Sequence, residues 1–335
     1  MTLPPASSEG DLLDAVRAAT EEVARRSRSV RLVPDRIGPY ADELLSSESI
    51  TPRSFEVAWS RAAEANRGKD PEVVAGRVIA LDAVNFGSGW HDLVRKRSGT
   101  SGARTMADGL TRWMATDSVV RASRLAELDT ELAHQIFDQP RDDGPLDELM
   151  GLFTVALNDL GRLVLDRYDA SFVAMVEAAD GSAARLAGLL AEMPLYCDVS
   201  RYGELDVPLH KRGQITAADL FRAFGDDGPG RFDDLDRLTA FADNLVPHVL
   251  RLDGVLAYDG ELVDRIGRGE LLVAGSEEEI EIRALGVHAV ERLRAALAER
   301  GVDVPSWYID QVLWERGAGA GYKSVPRHRA RSVFY

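Results

Sequence analysis

Residues 241–247 read Phe241-Ala242-Asp243-Asn244-Leu245-Val246-Pro247, and our interpretation of the fold starts from them. Apolar residues in the surrounding segment, 235–258, recur at helical spacing, which predicts a helix with one face in the core; they are Leu235, Leu238, Ala242, Leu245 and Val249. Pro247 cannot donate a backbone hydrogen bond and disfavours helical geometry at the preceding residue. We therefore expect one helix to end near Asn244 and a second to begin at Pro247.

This arrangement places Asp243 at a junction between two helices. The positive end of the second helix favours an ionised carboxylate there, and the interrupted backbone lets a ligand approach. Two interpretations are open from this stretch alone. Asp243 caps the second helix, which is the commoner role for such a residue, or it acts on a bound substrate.

Length and charge restrict the classes of protein and partner. The chain has 335 residues, of which 45% are hydrophobic, enough for a large core in one domain or in two lobes. Its formal net charge of -15 repels nucleic-acid backbones and anionic membrane surfaces. We therefore expect neither a nucleic acid polymer nor a membrane as a partner. The oligomeric state cannot be predicted.

Cysteine and histidine usage argues against metal and disulfide chemistry. The single cysteine, Cys197, excludes an internal disulfide and a cysteine-based zinc site. The six histidines show no metal-ligand spacing, so we expect no metal. Residues 1–11 carry acidic residues where a signal peptide is basic, and no apolar run is long enough to span a membrane. These features predict a cytoplasmic protein.

Helical periodicity dominates the chain, and strand-like patterns are confined to residues 30–33 and 205–209. Ser276 and Glu279 form a capping box that opens one of the longer predicted helices. The predicted helices span residues 11–26, 37–45, 54–66, 71–84, 118–137, 146–168, 170–190, 215–224, 276–300 and 305–316. We therefore predict an all-α fold: a single large helical domain over residues 1–335 with at most a few very short strands.

A glycine-rich stretch at residues 317–324 is similar to a phosphate-binding P-loop, but Tyr322 separates its last glycine from Lys323, and a helix precedes it instead of a strand. We therefore exclude a nucleoside triphosphatase. After Glu315 the chain has no acidic residue but has six basic ones, which are Arg316, Lys323, Arg327, His328, Arg329 and Arg331. This basic segment could hold one phosphate group or could lie as a solvated tail over acidic surface, and both interpretations stay open.

Binding of a guanine-like base requires an aromatic surface for stacking and a carboxylate that accepts hydrogen bonds from the ring N–H and the amine. The predicted helix 305–316 offers both, since Asp310 and Trp314 are four residues apart and share a face, with Tyr308 nearby. Core packing of the aromatic residues is the alternative. Residues near the ends of other predicted helices offer further polar or aromatic contacts: Asp82, Asn85, Trp90 and Lys211.

Taken together, these stretches resemble the queuosine salvage family, the queuosine 5'-phosphate N-glycosidases that release the base queuine for salvage into tRNA modification. The matching pieces occur in the family's order from about residue 30 to residue 335: Asp82-x-x-Asn85-Phe86 with Trp90, Lys211-Arg212-x-Gln214, Phe241-Ala242-Asp243, Glu279-x-Glu281-Ile282-Arg283, Asp310-x-x-Leu313-Trp314, and Val325-Pro326-x-His328-Arg329-x-Arg331 with Tyr335. The sequence departs from the family's pattern in the Gly/Ala-rich loop after Trp314 and at Gly87-Ser88-Gly89.

The resemblance implies a fold similar to helical DNA glycosylases, with a catalytic carboxylate at a helix junction, and that position falls on Asp243. It also implies that Phe241 and the helix with Asp310 and Trp314 contact the base, and we add Tyr308 and Asn244 to that group. Our candidates for binding phosphate and ribose are Lys211, Lys323, His328 and Arg331. Further candidate contacts are Asp82, Asn85 and Trp90.

Cleavage of a ribosyl C–N bond builds positive charge on the sugar, which a carboxylate below the ring stabilises. Asp243 is expected to supply that carboxylate, with water as the co-substrate and no cofactor. Queuine is a 7-deazaguanine and cannot be protonated at N7, so Asp310 is assigned to orienting the base more than to proton transfer. Two other classes stay open: a glycosylase acting on damaged nucleic acid, and a non-catalytic protein that binds a modified nucleoside.

Overall fold

The computed structural model describes residues 11–47, 50–51, 63–116 and 120–335, which are mostly helical. The helices, numbered in chain order, are α1 (Leu12–Arg26), α2 (Pro34–Ser46), α3 (Pro71–Ala83), α4 (Gly102–Met114), α5 (Ala122–Ala126), α6 (Thr130–Phe137), α7 (Pro145–Arg167), α8 (Phe172–Glu177), α9 (Ala183–Leu190), α10 (Lys211–Phe224), α11 (Val246–Leu252), α12 (Gly260–Gly267), α13 (Glu277–Glu299), α14 (Ser306–Gly317) and α15 (Ala320–Lys323). The predicted all-α class is confirmed.

Short strands tie distant parts of the chain together. They are β1 (Val30–Leu32), β2 (Val199–Tyr202), β3 (Leu205–Pro208), β4 (Leu256–Tyr258), β5 (Leu271–Leu272) and β6 (Arg329–Ala330). β1 pairs with β4 and β2 with β3 in antiparallel register, whereas β5 and β6 are parallel. The strands expected near residues 30–33 and 205–209 are therefore present.

Side-chain caps fix helix starts where the sequence predicts them. The Asp11 carboxylate accepts two backbone N–H bonds from the first turn of α1 (3.1 and 3.2 Å). Ser276 accepts the N–H of Glu279 (3.4 Å), and Glu279 in turn accepts the N–H of Gly275 (3.1 Å). This is the predicted capping box, with its return bond shifted by one residue. Local signals are therefore sufficient to start α1 and α13.

The prediction of a helix over residues 235–244 is wrong. Residues 235–237 form one turn of 3₁₀ helix, and residues 238–243 are irregular. Side chains from other elements bond this backbone instead of helical partners: Gln214 accepts from Thr239 (2.9 Å), Asp310 accepts from Phe241 (3.0 Å), and Arg283 donates to Ala242 (3.0 Å). The second helix of the junction is confirmed as α11, with Pro247 in its first turn.

Two other predicted helices are broken. Residues 170–190 form α8 and α9, separated where Asp180 (φ 50°) and Gly181 (φ 71°) adopt left-handed geometry. The stretch 118–137 forms α5 and α6, with Asp129 capping the second, and its first residues lie outside the described part. Most of the predicted helix 54–66 also lies outside the described residues. The helices α4, α12 and α15 were not predicted.

The buried apolar side chains form one continuous cluster that extends from Leu13 to Tyr335. Helix α13 lies inside it and packs against α1, α2, α11 and α14. Within the described residues, no helix combines the length and the apolar character needed to cross a membrane.

Residues 325–335 return across the loop that follows α3. The carbonyl of Tyr335 accepts the N–H groups of Gly87 (3.0 Å) and Ser88 (3.3 Å). A Cβ atom on Gly89 would lie 2.4 Å from the carbonyl oxygen of Ala330, a distance that side chains do not tolerate. Gly87 also has a φ of 106°, which favours glycine. The departure at Gly87-Ser88-Gly89 therefore serves the close passage of the chain.

Candidate active site

Asp243 sits at the start of α11 and is only half satisfied. Its Oδ1 atom accepts the backbone N–H groups of Leu245 (2.9 Å) and Val246 (3.0 Å), so it holds the backbone at the start of α11, although the N-cap residue itself is Leu245. Its Oδ2 atom receives no hydrogen bond from the described residues, and the side chain is partly accessible. Capping and chemistry are thus compatible, because one oxygen holds the helix and the other is available to a ligand.

The electrostatic surroundings of Asp243 differ from the expectation. Burial raises the pKa of Asp243, and this effect outweighs the backbone N–H groups of the helix start and the positive charges of Lys211 and Arg327, which lower it. The helix end does favour the ionised form, as predicted, but desolvation is the larger influence. A carboxylate kept away from water in this way interacts strongly with any cation that develops beside it.

Lys211 is the cation that lowers the pKa of Asp243 most. It begins α10 and is buried, and its Nζ atom donates to the carbonyl (3.1 Å) and the side-chain oxygen (3.3 Å) of Asn85. Burial lowers the pKa of Lys211 to about 8, although the charges of Asp243 and Asp82 act in the opposite direction. The predicted residues Lys211 and Asn85 are therefore brought together with Asp243.

Asp310 is a second buried carboxyl group beside Asp243. Its Oδ1 atom accepts the N–H of Phe241 (3.0 Å), and burial together with the charge of Asp243 raises its pKa well above the usual range. Asp243 has more donors and two nearby cations, so the proton of this pair resides on Asp310. Burial and the charge of Asp243 therefore favour the protonated form of Asp310, which can donate a hydrogen bond.

The predicted base contacts occupy different environments. Phe241, Tyr308 and Asn244 are buried, and Asn244 donates to the carbonyl of His328 (3.3 Å). Asp310 and Trp314, expected on one face, differ in exposure, at 4% and 48%. The aromatic surface of Trp314 is open, whereas the carboxyl group of Asp310 is enclosed.

The candidates at the end of α3 and on the loop after it are also enclosed. Trp90 is buried and donates from Nε1 to Glu148 (3.0 Å). Asp82 is buried, one of its oxygens has no hydrogen bond in the described part of the chain, and burial and the charge of Asp219 raise its pKa well above the usual range. Asp82 also lies close enough to Lys211 for each to shift the pKa of the other.

The predicted phosphate contacts in the basic segment are mostly engaged or uncharged. Burial lowers the pKa of His328 to about 3, so its ring is neutral, and neither ring nitrogen has a hydrogen bond among the described residues. Arg331 pairs with Glu148 (3.5 Å) and lies over the ring of Trp90 (5.9 Å). Lys323 is exposed on α15.

Sequence reasoning overlooked Arg327 as a site residue. Its charge lowers the pKa of Asp243, so the two side chains are close, and its buried Nε atom has no hydrogen-bond partner in the described residues. The other arginines of the basic segment each have a carboxylate: Arg316 pairs with Asp253, Arg329 with Asp92 and Arg331 with Glu148. Only the network of ion pairs singles out Arg327, and that network is invisible in sequence.

His91 is a second residue that the sequence did not indicate. It is partly buried beside Arg327, and burial and that positive charge lower its pKa to about 4. Lys211 also contributes to this shift, so His91, Arg327 and Lys211 form one cluster of donors. A neutral histidine and two cations can bind an anionic group. The carboxylate of Asp243, which has one oxygen without a hydrogen bond, can stabilise positive charge on a carbon atom of the same ligand.

Other features of the surface do not compete with this site. Within the described chain, no group of His, Cys, Asp and Glu side chains is arranged to hold a metal ion. A surface depression formed by residues 176–181 and 228–233 shares no residue with the cluster around Asp243.

Comparison with known proteins gives matches over nearly the whole chain. The family described as "Queuosine salvage protein" matches residues 66–335. A protein from Sphaerobacter thermophilus named queuosine 5'-phosphate N-glycosylase/hydrolase is 34% identical, over 97% of this chain and 99% of that protein. Proteins of the same name from Mus musculus and Dictyostelium discoideum are 30% and 28% identical, over 95% and 96% of this chain and 98% and 99% of their own. The matched range includes the whole cluster around Asp243.

Proposed function

This chain belongs to the queuosine salvage protein family, and we propose that it hydrolyses the N-glycosidic bond of queuosine 5'-phosphate, releasing queuine and ribose 5-phosphate. The observation that carries this proposal is the state of Asp243. One of its oxygens is fixed by two backbone N–H groups, while the other is unbonded and partly accessible. A carboxylate held in this way is preorganised for positive charge that develops in the transition state.

Asp243 acts on the sugar. As the C1'–N bond breaks, the ribosyl ring becomes oxocarbenium-like, and the ionised carboxylate stabilises that charge while water approaches C1'. The hydroxyl group of water is added to C1' and its proton to the base, so the atoms balance without a cofactor. Lys211 and Arg327 help to keep Asp243 ionised despite its burial.

Asp310 acts on the base. Burial and the charge of Asp243 favour its protonated form, in which the carboxyl group donates one hydrogen bond and accepts another, and this matches the mixed donor and acceptor edge of a guanine-like base. Asp310 accepts a hydrogen bond from the backbone N–H of Phe241, and this bond fixes its position next to Asp243. We assign the base contacts to Phe241 and Asp310, with Tyr308, Asn244 and Trp314 around them.

Arg327, Lys211 and His91 receive the 5'-phosphate. Arg327 has no carboxylate partner in the described part of the chain, so its guanidinium group is available for the phosphate. His91 is neutral because burial and the charges of nearby cations lower its pKa to about 4. A phosphate dianion would raise the pKa of His91 and add a second charged donor. This set replaces Lys323 and Arg331 as our principal candidates.

The proposal also includes the domain organisation of the chain and its location in the cell. We assign the chain to one domain over residues 1–335, supported by the continuous buried cluster of its described residues. We also assign it to the cytoplasm, supported by its single cysteine.

The experiment that tests the function is incubation of the purified protein with queuosine 5'-phosphate, queuosine or GMP, with detection of free base by mass spectrometry. We expect queuine release mainly from queuosine 5'-phosphate and none from GMP. Release of queuine from the nucleoside alone would contradict the phosphate assignment. Absence of release from all three would overturn the hydrolase and favour a protein that only binds the nucleoside.

A further inference from the structure

We infer that the buried ion pair between Asp198 and Arg283 is a positioning device that sets Asp243 and Lys211 relative to each other; this inference rests on the function proposed above. The pair is bidentate. Nη1 of Arg283 lies 3.0 Å from Oδ1 of Asp198, and Nη2 lies 2.7 Å from Oδ2. Both side chains are almost completely buried, at 1% and 2% exposure.

The two ends of this pair reach the backbone beside Asp243 and the backbone of Lys211. Nε of Arg283 donates to the carbonyl of Ala242 (3.0 Å), the residue directly before Asp243. Oδ2 of Asp198 accepts the backbone N–H of Lys211 (3.1 Å). One rigid unit is therefore bonded to the backbone beside Asp243 and to the backbone of Lys211. Because residues 238–243 are irregular and have no helix to hold them, this contact carries much of their placement.

Further contacts keep Arg283 itself in place. Its guanidinium group lies 4.7 Å from the centre of the Tyr335 ring, and Glu279 is 3.8 Å from its Nε atom. The carbonyl of Tyr335 in turn holds Gly87 and Ser88, which follow Asn85, the partner of the Lys211 ammonium group. The loop that binds the Lys211 side chain is therefore linked to the same unit.

A purely structural role is the competing interpretation. Buried ion pairs are poor stabilisers, because apolar residues of similar volume often serve stability equally well. A pair retained for stability alone has no need to bond both the backbone beside Asp243 and the backbone of Lys211. A positioning pair must do so, since a displacement of about 1 Å at a reacting group can lower a rate about 100-fold.

The first test is Arg283→Lys, which keeps the positive charge but cannot make the bidentate pair and the Ala242 bond together. We expect kcat for queuosine 5'-phosphate to fall about 100-fold while KM changes less than about threefold, because the variant loses the bond to Ala242 beside Asp243, whereas Asp198 still accepts the N–H of Lys211. Glu281→Gln is the matched control, since Glu281 is equally buried on the same helix but bonds only residues 28–30 and Tyr202. We expect it to lose stability and to keep kcat.

The second test separates position from stability. Asp198→Asn alone removes the bidentate partner of Arg283 and leaves this buried cation only the longer contact with Glu279 (3.8 Å), so it is expected to be strongly destabilised. The double variant Asp198→Asn with Arg283→Gln has neither charge of the pair, and Glu279, whose pKa burial raises, can take up a proton, so this variant should recover much of its melting temperature. A positioning role predicts that kcat of this folded double variant stays about 100-fold low. Wild-type kcat in either folded variant would overturn the inference.

The function itself is read from the wild-type protein in the same assay. No release of queuine by the wild type would defeat the proposed function, whereas release by the wild type and equally by the variants would defeat only the positioning role.

Discussion

Two buried acidic regions of this chain differ in how completely their carboxylates are bonded. Both oxygens of Glu281 are used: they accept the N–H groups of residues 28, 29 and 30 (2.9, 2.8 and 3.0 Å) and the hydroxyl of Tyr202 (2.7 Å). Asp243 has two donors, both on one oxygen. Burial of a carboxylate is common to the two regions, so burial does not mark the site. The site is marked by Oδ2 of Asp243, because folding leaves this oxygen without a hydrogen bond and available to a ligand.

The arginines of the basic segment show the same difference. Arg329 and Arg331 are held by Asp92 and Glu148, and Arg329 also donates to the carbonyl of Gly269 (3.0 Å). Arg327, between β6 and the preceding Pro326, has no such partner in the described residues. The structural arginines fasten residues 325–335 to the body, and Arg327 is left for an anion.

The largest effect is expected for Asp243→Asn. The amide keeps the shape of the side chain and can still cap α11, so the free energy of unfolding should change by less than about 1 kcal/mol. Loss of the charge should lower kcat by about 1000-fold or more, the upper range for one preorganised electrostatic group. Steady-state kinetics with queuosine 5'-phosphate and a thermal melt check both values. Activity within tenfold of the wild type would remove Asp243 from the reaction.

Arg327→Gln sharpens the comparison among the arginines. A charged hydrogen bond to phosphate is worth about 1.5–3 kcal/mol, so KM for queuosine 5'-phosphate should rise about 10- to 100-fold. KM for the unphosphorylated nucleoside should be unchanged, because the nucleoside lacks the phosphate group that Arg327 binds. Arg331→Gln, in the same segment but paired with Glu148, is the control and should leave both values within about threefold. Equal effects of the two substitutions would contradict the assignment.

The pH dependence of kcat/KM tests Lys211. Burial lowers its pKa to about 8, so it is charged below pH 8 and loses its charge above it. Loss of that charge removes a cation assigned to the 5'-phosphate, and kcat/KM should fall about tenfold per pH unit on the alkaline side. Lys211→Arg stays charged at every pH of the assay. Its rate should be lower overall but flat from about pH 8 to 10, and an unchanged alkaline fall would assign that pKa to another group.

The smallest effect on catalysis is expected for Glu281→Gln. The neutral amide weakens several hydrogen bonds to the backbone of residues 28–30, so we expect a loss of about 2 kcal/mol in the free energy of unfolding. The rate per folded molecule should stay within about twofold of the wild type. Chemical denaturation and an active-enzyme assay below the melting transition measure the two quantities. A large loss of kcat in fully folded protein would erase the distinction between the two acidic regions.

Local signals account for the parts of the fold that the sequence predicts. Asp11, Ser276 and Pro247 start their helices where expected, because caps and proline act within a few residues. The irregular stretch 238–243 was predicted as helix because its apolar spacing is helical. Its true conformation depends on side chains from α10, α13 and α14, which lie far away in the sequence.

The residues of the site also divide into those that the sequence indicates and those that depend on contacts between distant parts of the chain. The family resemblance is confirmed, and it indicated Asp243 and Asp310 by their motifs. Arg327 could not be selected over Arg331, because the choice depends on Glu148 and Asp92, whose positions relative to the basic segment only the fold determines. His91 has no motif of its own, and its importance follows from the cations that surround it.

The most direct measurement is a crystal structure of Asp243→Asn with intact queuosine 5'-phosphate. We predict C1' of the ribose within about 3.5 Å of the side chain at position 243 and the phosphate bonded to Arg327 and His91. A nucleotide bound elsewhere, for example in the depression formed by residues 176–181 and 228–233, would contradict this account.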